Sequence, residues 1–224
     1  MTFGENVLAF NRAMRIGFAL PHGVEVLNPF TGEQATAACG AFYNKYYDDM
    51  RPRRFLLGIN PGRRGAGVTG IPFTDPVQLE QACGIDNPFS KVPEFSSSFV
   101  YEVIKSWGGP ASFYKTFYIT SVFPLGFTRD GKNLNYYDDA QLLAACQHTL
   151  IRSLEKQLSF GLAGKSCYCL GAGKNLKILQ SLNNRHGWFK NIIPLPHPRW
   201  VMQYRRKKLK EFIDLYVEKL GEGY

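Results

Sequence analysis

Strand-like and helix-like segments alternate along most of this chain, and this alternation restricts its fold more than any other feature. Four short runs rich in β-branched and aromatic residues have the composition of strands: 54–59, 117–123, 166–170 and 191–195. Helical patterns lie between these runs and after the last of them. Because such alternation is typical of a parallel sheet with helices on both faces, the sequence predicts a three-layer α/β/α fold with a central four-stranded parallel sheet.

The predicted helices cover both halves of the chain. Their ranges are 6–20, 34–50, 96–107, 137–160, about 174–184, and a last helix that begins near 209. The last helix is the clearest, because one buried stripe follows helical spacing through Leu209, Phe212, Ile213, Tyr216, Val217 and Leu220. No repeat, low-complexity tract or linker interrupts the 224 residues, so we expect a single domain, 1–224.

The charge balance favours a polyanionic partner such as nucleic acid, since 27 Lys and Arg residues outnumber 18 Asp and Glu residues. The five cysteines form no regular framework, and Cys167 and Cys169 have the wrong spacing for a zinc site, so we expect reduced thiols and neither a metal nor a cofactor. The chain shows no secretion-signal layout and no membrane-length apolar run. We therefore expect a monomer in the cytoplasm, nucleoid-associated in a bacterium.

Three polar side chains follow or end predicted strands. Asn60 follows the first strand in the segment LLGINPG, Ser121 ends the second, and His197 follows the fourth. In sheets of this type, ligands bind outside the carboxyl ends of the strands, where these side chains would meet. An amide can orient a water molecule, and a histidine can donate a hydrogen bond to negative charge on a leaving group. These two groups suit the cleavage of an N-glycosidic bond, because the sugar leaves as a cation and the base as an anion.

Each of these residues also has a plainer interpretation. Asn60 can bond the backbone of its own turn, His197 can be a polar loop residue between two prolines, and Phe73 can belong to the core. The third strand ends in 171–173, a Gly-Ala-Gly sequence that favours a tight turn over a phosphate-binding loop, because the full phosphate-loop spacing is absent.

Two motifs resemble those of the single-strand-selective monofunctional uracil-DNA glycosylases. The segment 58–62 (GINPG) with 69–73 (TGIPF) is similar to the first motif of that family, and 196–199 (PHPR) is similar to the second. The resemblance implies a DNA glycosylase of the same fold. Asn60 would hold the attacking water, His197 would stabilise the departing base, and Phe73 would stack on the flipped base. The backbones of Ile59 and Gly62 would line the base pocket, and Asn28 resembles part of a shorter family segment.

The chain departs from this family at two places. Ser121 stands where much of the superfamily carries an asparagine that reads the uracil edge, so deaminated purines such as xanthine or hypoxanthine become candidate substrates. After the second motif, the family's usual continuation is replaced by Arg199, Trp200, Val201 and Met202. We interpret the chain as a divergent member of the SMUG-like type.

The expected DNA contacts lie near the two motifs. Arg63 and Arg64 follow the first motif, and Arg199 belongs to the second. A basic run precedes the last helix and consists of Arg205, Arg206, Lys207 and Lys208, with Lys210 beyond. Either phosphate binding or a solvated basic face would explain this run. Trp200, Val201 or Met202 would fill the gap left by the flipped base, although Trp200 can equally be core. Glu33 is a lesser candidate for orienting water, and a carboxylate at a helix start is the simpler account.

The sequence therefore predicts a monofunctional glycosylase that acts on DNA, single- or double-stranded, and removes uracil or a related deaminated base. Two other functions fit the same residues: a non-catalytic nucleic-acid-binding module, and an N-glycosidase for free nucleosides or nucleotides. The basic segment 205–210 argues against the second of these, because free nucleosides offer no phosphate backbone.

Overall fold

The computed structural model describes residues 1–222, and positions 223–224 of the predicted domain lie outside the described residues. The strands, in chain order, are β1 (Val24–Leu27), β2 (Arg53–Gly58), β3 (Phe117–Ser121), β4 (Gly126–Arg129), β5 (Lys132–Leu134), β6 (Leu162–Leu170) and β7 (Asn191–Leu195). The helices are α1 (Phe3–Ala13), α2 (Glu33–Tyr46), α3 (Ala66–Thr69), α4 (Pro76–Gln81), α5 (Phe95–Ser106), α6 (Pro110–Thr116), α7 (Ala140–Leu158), α8 (Lys174–His186), α9 (Pro198–Tyr204) and α10 (Leu209–Gly221). Short 3-10 turns occupy Pro29–Thr31 and Arg206–Lys208.

The central sheet confirms the predicted fold class. Its four strands are parallel and lie in the order β3, β2, β6, β7. The interior strands are buried on both faces, with Phe55, Leu57, Cys167 and Cys169 fully inaccessible to solvent. Their near-continuous apolar sequences reflect this burial, because helices cover both faces of a parallel sheet. The carboxyl ends of all four strands consequently lie at one edge of the sheet.

A second, three-stranded antiparallel sheet was not predicted. It has the order β1, β4, β5, and β4 and β5 form a hairpin through Asp130 and Gly131. Both turn residues have positive φ, 51° and 66°, as a two-residue hairpin turn of type I′ requires. The Asp-Gly pair is a recognisable hairpin signal, but the flanking strands are only three or four residues long and show little alternation.

Several predicted helix boundaries were wrong. The first helix ends at Ala13, not 20, because Met14 takes an extended backbone conformation and Gly17 and Pro21 follow within seven residues. The second ends at Tyr46, not 50, and Asp48 and Asp49 just beyond are acidic residues that disfavour a helix C-terminus. The segment after β2 contains two helices that the sequence analysis did not predict, α3 and α4, and α6 directly follows the glycines after α5.

A buried arginine stabilises the edge of the sheet at which the strands begin. Arg53 is fully buried at the start of β2, and its guanidinium donates to the Asp49 carboxylate at 2.7 Å and to the Tyr114 carbonyl at 2.9 Å. The rings of Phe3 and Tyr47 flank it at 5.4 and 5.2 Å. The hydrogen bond from Arg53 also lowers the pKa of the Asp49 carboxyl. This cluster fixes the amino ends of the strands, and the carboxyl ends are left to form a site.

None of the helices in residues 1–222 is long and apolar enough to span a membrane.

Candidate active site

The carboxyl ends of β2 and β3, with the segments that follow β5 and β7, enclose a cavity of about 320 Å³. Gly58 at the end of β2 is paired in register with Ser121 at the end of β3. Backbone hydrogen bonds from the Val122 and Phe123 N–H groups to the Gly58 and Ile59 carbonyls extend this pairing, and Pro61, which has no N–H to donate, follows. Among the predicted site residues, the cavity lining includes Ile59, Asn60, Gly62, Phe73, Ser121, His197, Arg199 and Trp200. The structure therefore brings together eight of the residues that the sequence singled out.

Asn60 is held by the backbone of the segment after β5. Its Nδ2 donates to the Leu134 carbonyl at 3.2 Å, and its Oδ1 accepts from the Tyr136 N–H at 3.1 Å. The contact of Nδ2 with the carbonyl of Pro61, in its own turn, is longer at 3.4 Å. An amide oxygen has two lone pairs, so Oδ1 can accept one more hydrogen bond. The amide group is thereby held at the cavity wall, and its Oδ1 atom can still accept a hydrogen bond from a ligand or a water molecule.

Two buried residues that the sequence did not reveal support this arrangement. Tyr136 is fully buried, and its hydroxyl donates to Asn175 Oδ1 at 2.7 Å. Asn175, in α8, is 2% exposed, and its Nδ2 lies 3.4 Å from the Gly58 carbonyl. The end of β2 is thus joined through Asn175 and Tyr136 to the amide of Asn60. No local pattern marks this network, because its hydrogen-bonded pairs lie 39, 76 and 117 residues apart in the chain.

His197 caps the N-terminus of α9 and faces the cavity. Its Nδ1 accepts from the Arg199 N–H at 3.2 Å, so the proton of the neutral ring resides on Nε2. Burial and, second, the charge of Arg199 lower the pKa of His197 from 6.5 to about 4. The imidazole is consequently neutral at physiological pH, with one N–H donor of fixed tautomer.

Phe73 lies beside His197, with ring centroids 6.3 Å apart. Its φ of 54° is rare for an aromatic residue and marks local backbone strain of the kind that accumulates at functional sites. The ring lies over Gly58, where a Cβ atom would be only 2.7 Å from Phe73 Cε2. Glycine at the end of β2 therefore allows the aromatic ring to approach the strand end and form one wall of the cavity.

Four of the predicted site residues are engaged elsewhere. Asn28 caps a 3-10 turn, accepting from the Phe30 N–H at 3.1 Å and donating to the Met14 carbonyl at 3.1 Å, and it does not line the cavity. Glu33 is an exposed carboxylate in the first turn of α2, away from the cavity lining. Val201 is fully buried and Met202 packs against the core, so both face inward.

The basic run 205–208 lies beyond α9 and does not line the cavity. The Arg205 guanidinium covers the Trp200 ring at 5.0 Å, and Lys208 pairs with the Glu211 carboxylate at 3.0 Å. Arg206 and Lys207 are exposed on the 3-10 turn that precedes α10. Lys210 pairs with Asp214 at 2.7 Å. Two of these cations are therefore partly neutralised at the surface, which favours the solvated-face interpretation for them.

A second cavity of about 430 Å³ adjoins the first. It is lined by Arg63 and Arg64, which the sequence analysis named as expected DNA contacts, and also by residues that the sequence reasoning missed: Glu94, Lys132 and Asn133. Glu94 lines both cavities, and burial raises the pKa of its carboxyl against the opposing effects of the Ser96 side chain and Arg199. In residues 1–222, no group of three or more potential metal-ligating side chains could hold a metal ion.

A parallel sheet covered by helices on both faces, with a partly open cavity at its strand ends, is the arrangement in which α/β/α proteins bind their ligands. The family model for the uracil DNA glycosylase superfamily matches residues 44–221. This chain therefore belongs to the uracil DNA glycosylase superfamily.

The comparison with solved structures agrees. The wild-type SMUG2 crystal structure from Pedobacter heparinus matches with a TM-score of 0.96 and 43% sequence identity, over 98% of this chain and 97% of that chain. No curated protein sequence matches the chain significantly.

Proposed function

We propose that this protein is a monofunctional DNA glycosylase that hydrolyses the N-glycosidic bond of uracil or a related deaminated base. The observation that carries the proposal is that Asn60, Phe73 and His197 line one cavity. His197 lies 124 positions after Phe73 and 137 positions after Asn60 in the sequence. The similarity to SMUG2 supports the same conclusion.

The proposed reaction begins with a flipped nucleotide in the cavity, its base against the Phe73 ring. The bond between C1′ and the base nitrogen breaks, and its electron pair leaves with the base. The His197 Nε2–H donates a hydrogen bond to the base oxygen on which negative charge develops. A water molecule held by Asn60 Oδ1 adds to the cationic C1′. The water's proton neutralises the departing base, so the products are the free base and an abasic sugar.

A neutral histidine suits this role. The lowered pKa means that the donor is an imidazole rather than an imidazolium. The ring keeps its acceptor bond at Nδ1 throughout, so the donor direction is preorganised and no proton must be lost first. A donor fixed before the reaction stabilises the transition state more than one that must reorient.

The chemistry of Ser121 supports a broad range of deaminated bases. Ser121 lines the cavity beside Gly58. Its hydroxyl can donate or accept a hydrogen bond, so it can bind either an acceptor or a donor group on the edge of the base. We propose uracil, xanthine and hypoxanthine as substrates. Among the described residues that line this cavity there is no lysine, which fits hydrolysis by water rather than Schiff-base cleavage of the strand.

The experiment is an excision assay on oligonucleotides that carry one uracil, xanthine or hypoxanthine, followed by hot alkali. Strand breakage at the modified position only after alkali supports a monofunctional glycosylase. Breakage before alkali would indicate lyase activity, and intact strands with tight binding would indicate a non-catalytic module. Release of uracil from free deoxyuridine at an equal rate, without salt dependence, would identify a nucleoside N-glycosidase instead.

We further propose that the protein acts as a monomer, which light scattering with and without DNA tests directly.

A further inference from the structure

Four cations converge on the second cavity. Arg63 and Arg64 come from the loop after β2, Lys132 from the first position of β5, and Arg199 from α9. None of the ion pairs in residues 1–222 involves any of these four side chains. Like charges that share a cleft repel one another and destabilise the free protein unless an anion binds between them.

The cleft is built as a fixed site. The type I′ turn at Asp130 and Gly131 pairs Arg129 with Lys132 and so sets the direction of the hairpin tip. The next residue, Asn133, accepts a hydrogen bond from the Arg63 N–H at 3.1 Å. The hairpin and the loop after β2 are therefore joined, and their cations line one cleft.

We propose that this cleft binds the phosphodiester group next to the flipped nucleotide, with Lys132 as a phosphate-binding residue. The proposal rests on the proposed function, since a flipped nucleotide must occupy the first cavity. The two cavities share four lining residues, Gly62, Glu94, Asn133 and Arg199, so a group in the cleft adjoins the sugar of a nucleotide in the first cavity.

One carboxylate, Glu94, faces this cationic cleft. It occupies the position that caps the N-terminus of the 12-residue helix α5, where a negative charge is favourable. Burial raises the pKa of its carboxyl, and the Ser96 side chain and the charge of Arg199 oppose this effect. Four cations against one carboxylate leave the cleft positive.

Binding of non-cleavable 2′-fluoro-deoxyuridine oligonucleotides tests the proposal by fluorescence anisotropy, at several salt concentrations. For Lys132→Ala, we expect the salt-dependence slope to fall by about 0.7, equivalent to roughly five-fold weaker binding in 0.1 M salt for a single strand. In the natural protein, a neutral methylphosphonate at one phosphate beside the uracil should weaken binding by a similar factor. The same methylphosphonate should weaken binding by Lys132→Ala by a smaller factor, because one of the four cations is already absent.

Lys165→Ala is the matched control, because Lys165 is an exposed lysine near the amino end of β6, at the opposite edge of the sheet. An unchanged slope in Lys132→Ala, or equal methylphosphonate penalties in both proteins, would overturn the proposal. Because binding is measured without excision, failure of the cleft and failure of the glycosylase activity give separate results.

A different observation, the exposure of one aromatic ring, concerns the gap that a flipped base leaves in duplex DNA. On α9, Val201 and Met202 face inward. Trp200 is 39% exposed, and its ring contacts the Arg205 guanidinium at 5.0 Å and the Phe212 ring, with ring centroids 5.8 Å apart. Tyr204, one turn beyond Trp200, is 60% exposed, lines the mouth of the first cavity and makes no ring contact with any described residue.

We infer that the Tyr204 ring enters the base stack in place of the flipped nucleotide. An aromatic side chain restores the stacking that the neighbouring bases lose, and single-stranded DNA has no such gap to fill. On duplex DNA, Tyr204→Ala should therefore lower kcat/KM by a factor between about 5 and 150, the equivalent of one base–aromatic stack. On single-stranded DNA we expect the value to change by less than about two-fold.

Tyr204→Phe should restore the duplex activity, since the ring and not the hydroxyl does the stacking. Met50→Ala, at an exposed apolar residue between α2 and β2, is the control. A 2-aminopurine placed beside the uracil should brighten less with Tyr204→Ala than with the natural protein. Equal losses on single-stranded and duplex DNA, or no loss on either, would contradict the assignment.

Discussion

The substitution His197→Asn separates the chemical role of the imidazole from its structural role. In the structure, Nδ1 caps α9 by accepting from the Arg199 N–H, and Nε2 carries the donor that faces the cavity. Asparagine is among the best helix N-caps, and its side-chain oxygen can accept the same hydrogen bond. Its short side chain places no donor where Nε2 lies. The variant should therefore fold normally and lose only the donor.

The expected loss follows from the number of donors removed. One preorganised donor to a developing negative charge contributes about 3 kcal/mol, so the single-turnover excision rate should fall by a factor of about 100 to 1,000. Quenched excision of a uracil-containing oligonucleotide at saturating protein measures this rate, and anisotropy with the non-cleavable analogue measures binding. A variant that binds equally well and excises within about three-fold of the natural rate would refute the assignment of His197.

The lowered pKa of His197 gives the same variant a second signature. The folded pKa, about 4, lies below the ordinary 6.5. The unfolded chain therefore binds a proton first, and the folded state loses stability as the pH falls from about 6.5 towards 4. Between pH 7 and pH 5 this loss amounts to about 2 kcal/mol. The asparagine variant has no imidazole and so does not lose this stability. Urea titrations should therefore show that the free energy of unfolding of the variant, relative to that of the natural protein, is higher at pH 5 than at pH 7 by this amount. A constant difference would show that the imidazole is not desolvated.

Four other substitutions test the cavity. Asn60→Ala should keep DNA affinity within about two-fold and lose excision by 100-fold or more, because the water-holding acceptor is gone; unimpaired excision in the same assay would refute its role. Tyr136→Phe leaves Asn175 Oδ1 without its donor, so the free energy of unfolding should fall by about 1–2 kcal/mol and excision should slow, as urea titration and single-turnover kinetics would show. Ser121→Asn should raise the ratio of uracil to hypoxanthine excision, and an unchanged ratio would count against the base-edge assignment. Gly58→Ala should displace Phe73 and lower kcat/KM while the far-ultraviolet circular dichroism stays unchanged; full activity would mean that the ring can move without consequence.

The site could be predicted from the sequence to the extent that its residues follow strands. Asn60 and His197 each lie two residues after a strand of the parallel sheet. Parallel strands bring their carboxyl ends to one edge, so the joint placement of these residues followed from local patterns. Asn28 and Glu33 carried no such geometric argument and lie outside the cavity. Asn28 was proposed from resemblance to a short family segment, which does not indicate where a side chain points, and the carboxylate of Glu33 has its simpler explanation at the start of a helix.

The contributions of the hairpin could not be read from the sequence. Lys132 and Asn133 reach the site only because β4 pairs with β1, about 100 residues earlier, and the paired hairpin then projects over the loop after β2. On α9, spacing alone could not separate the buried Val201 from the exposed Tyr204, because a helix of seven residues is too short to show a period.

The sequence by itself determined the layered α/β architecture, the parallel sheet and the two polar residues that follow its strands, because hydrophobic periodicity and strand composition are local properties that burial enforces. Only the tertiary structure decided which atom of the Asn60 amide can still accept a hydrogen bond, which tautomer His197 adopts, and which cations meet in one cleft. These depend on distances between segments far apart in the chain, and no local pattern encodes such distances.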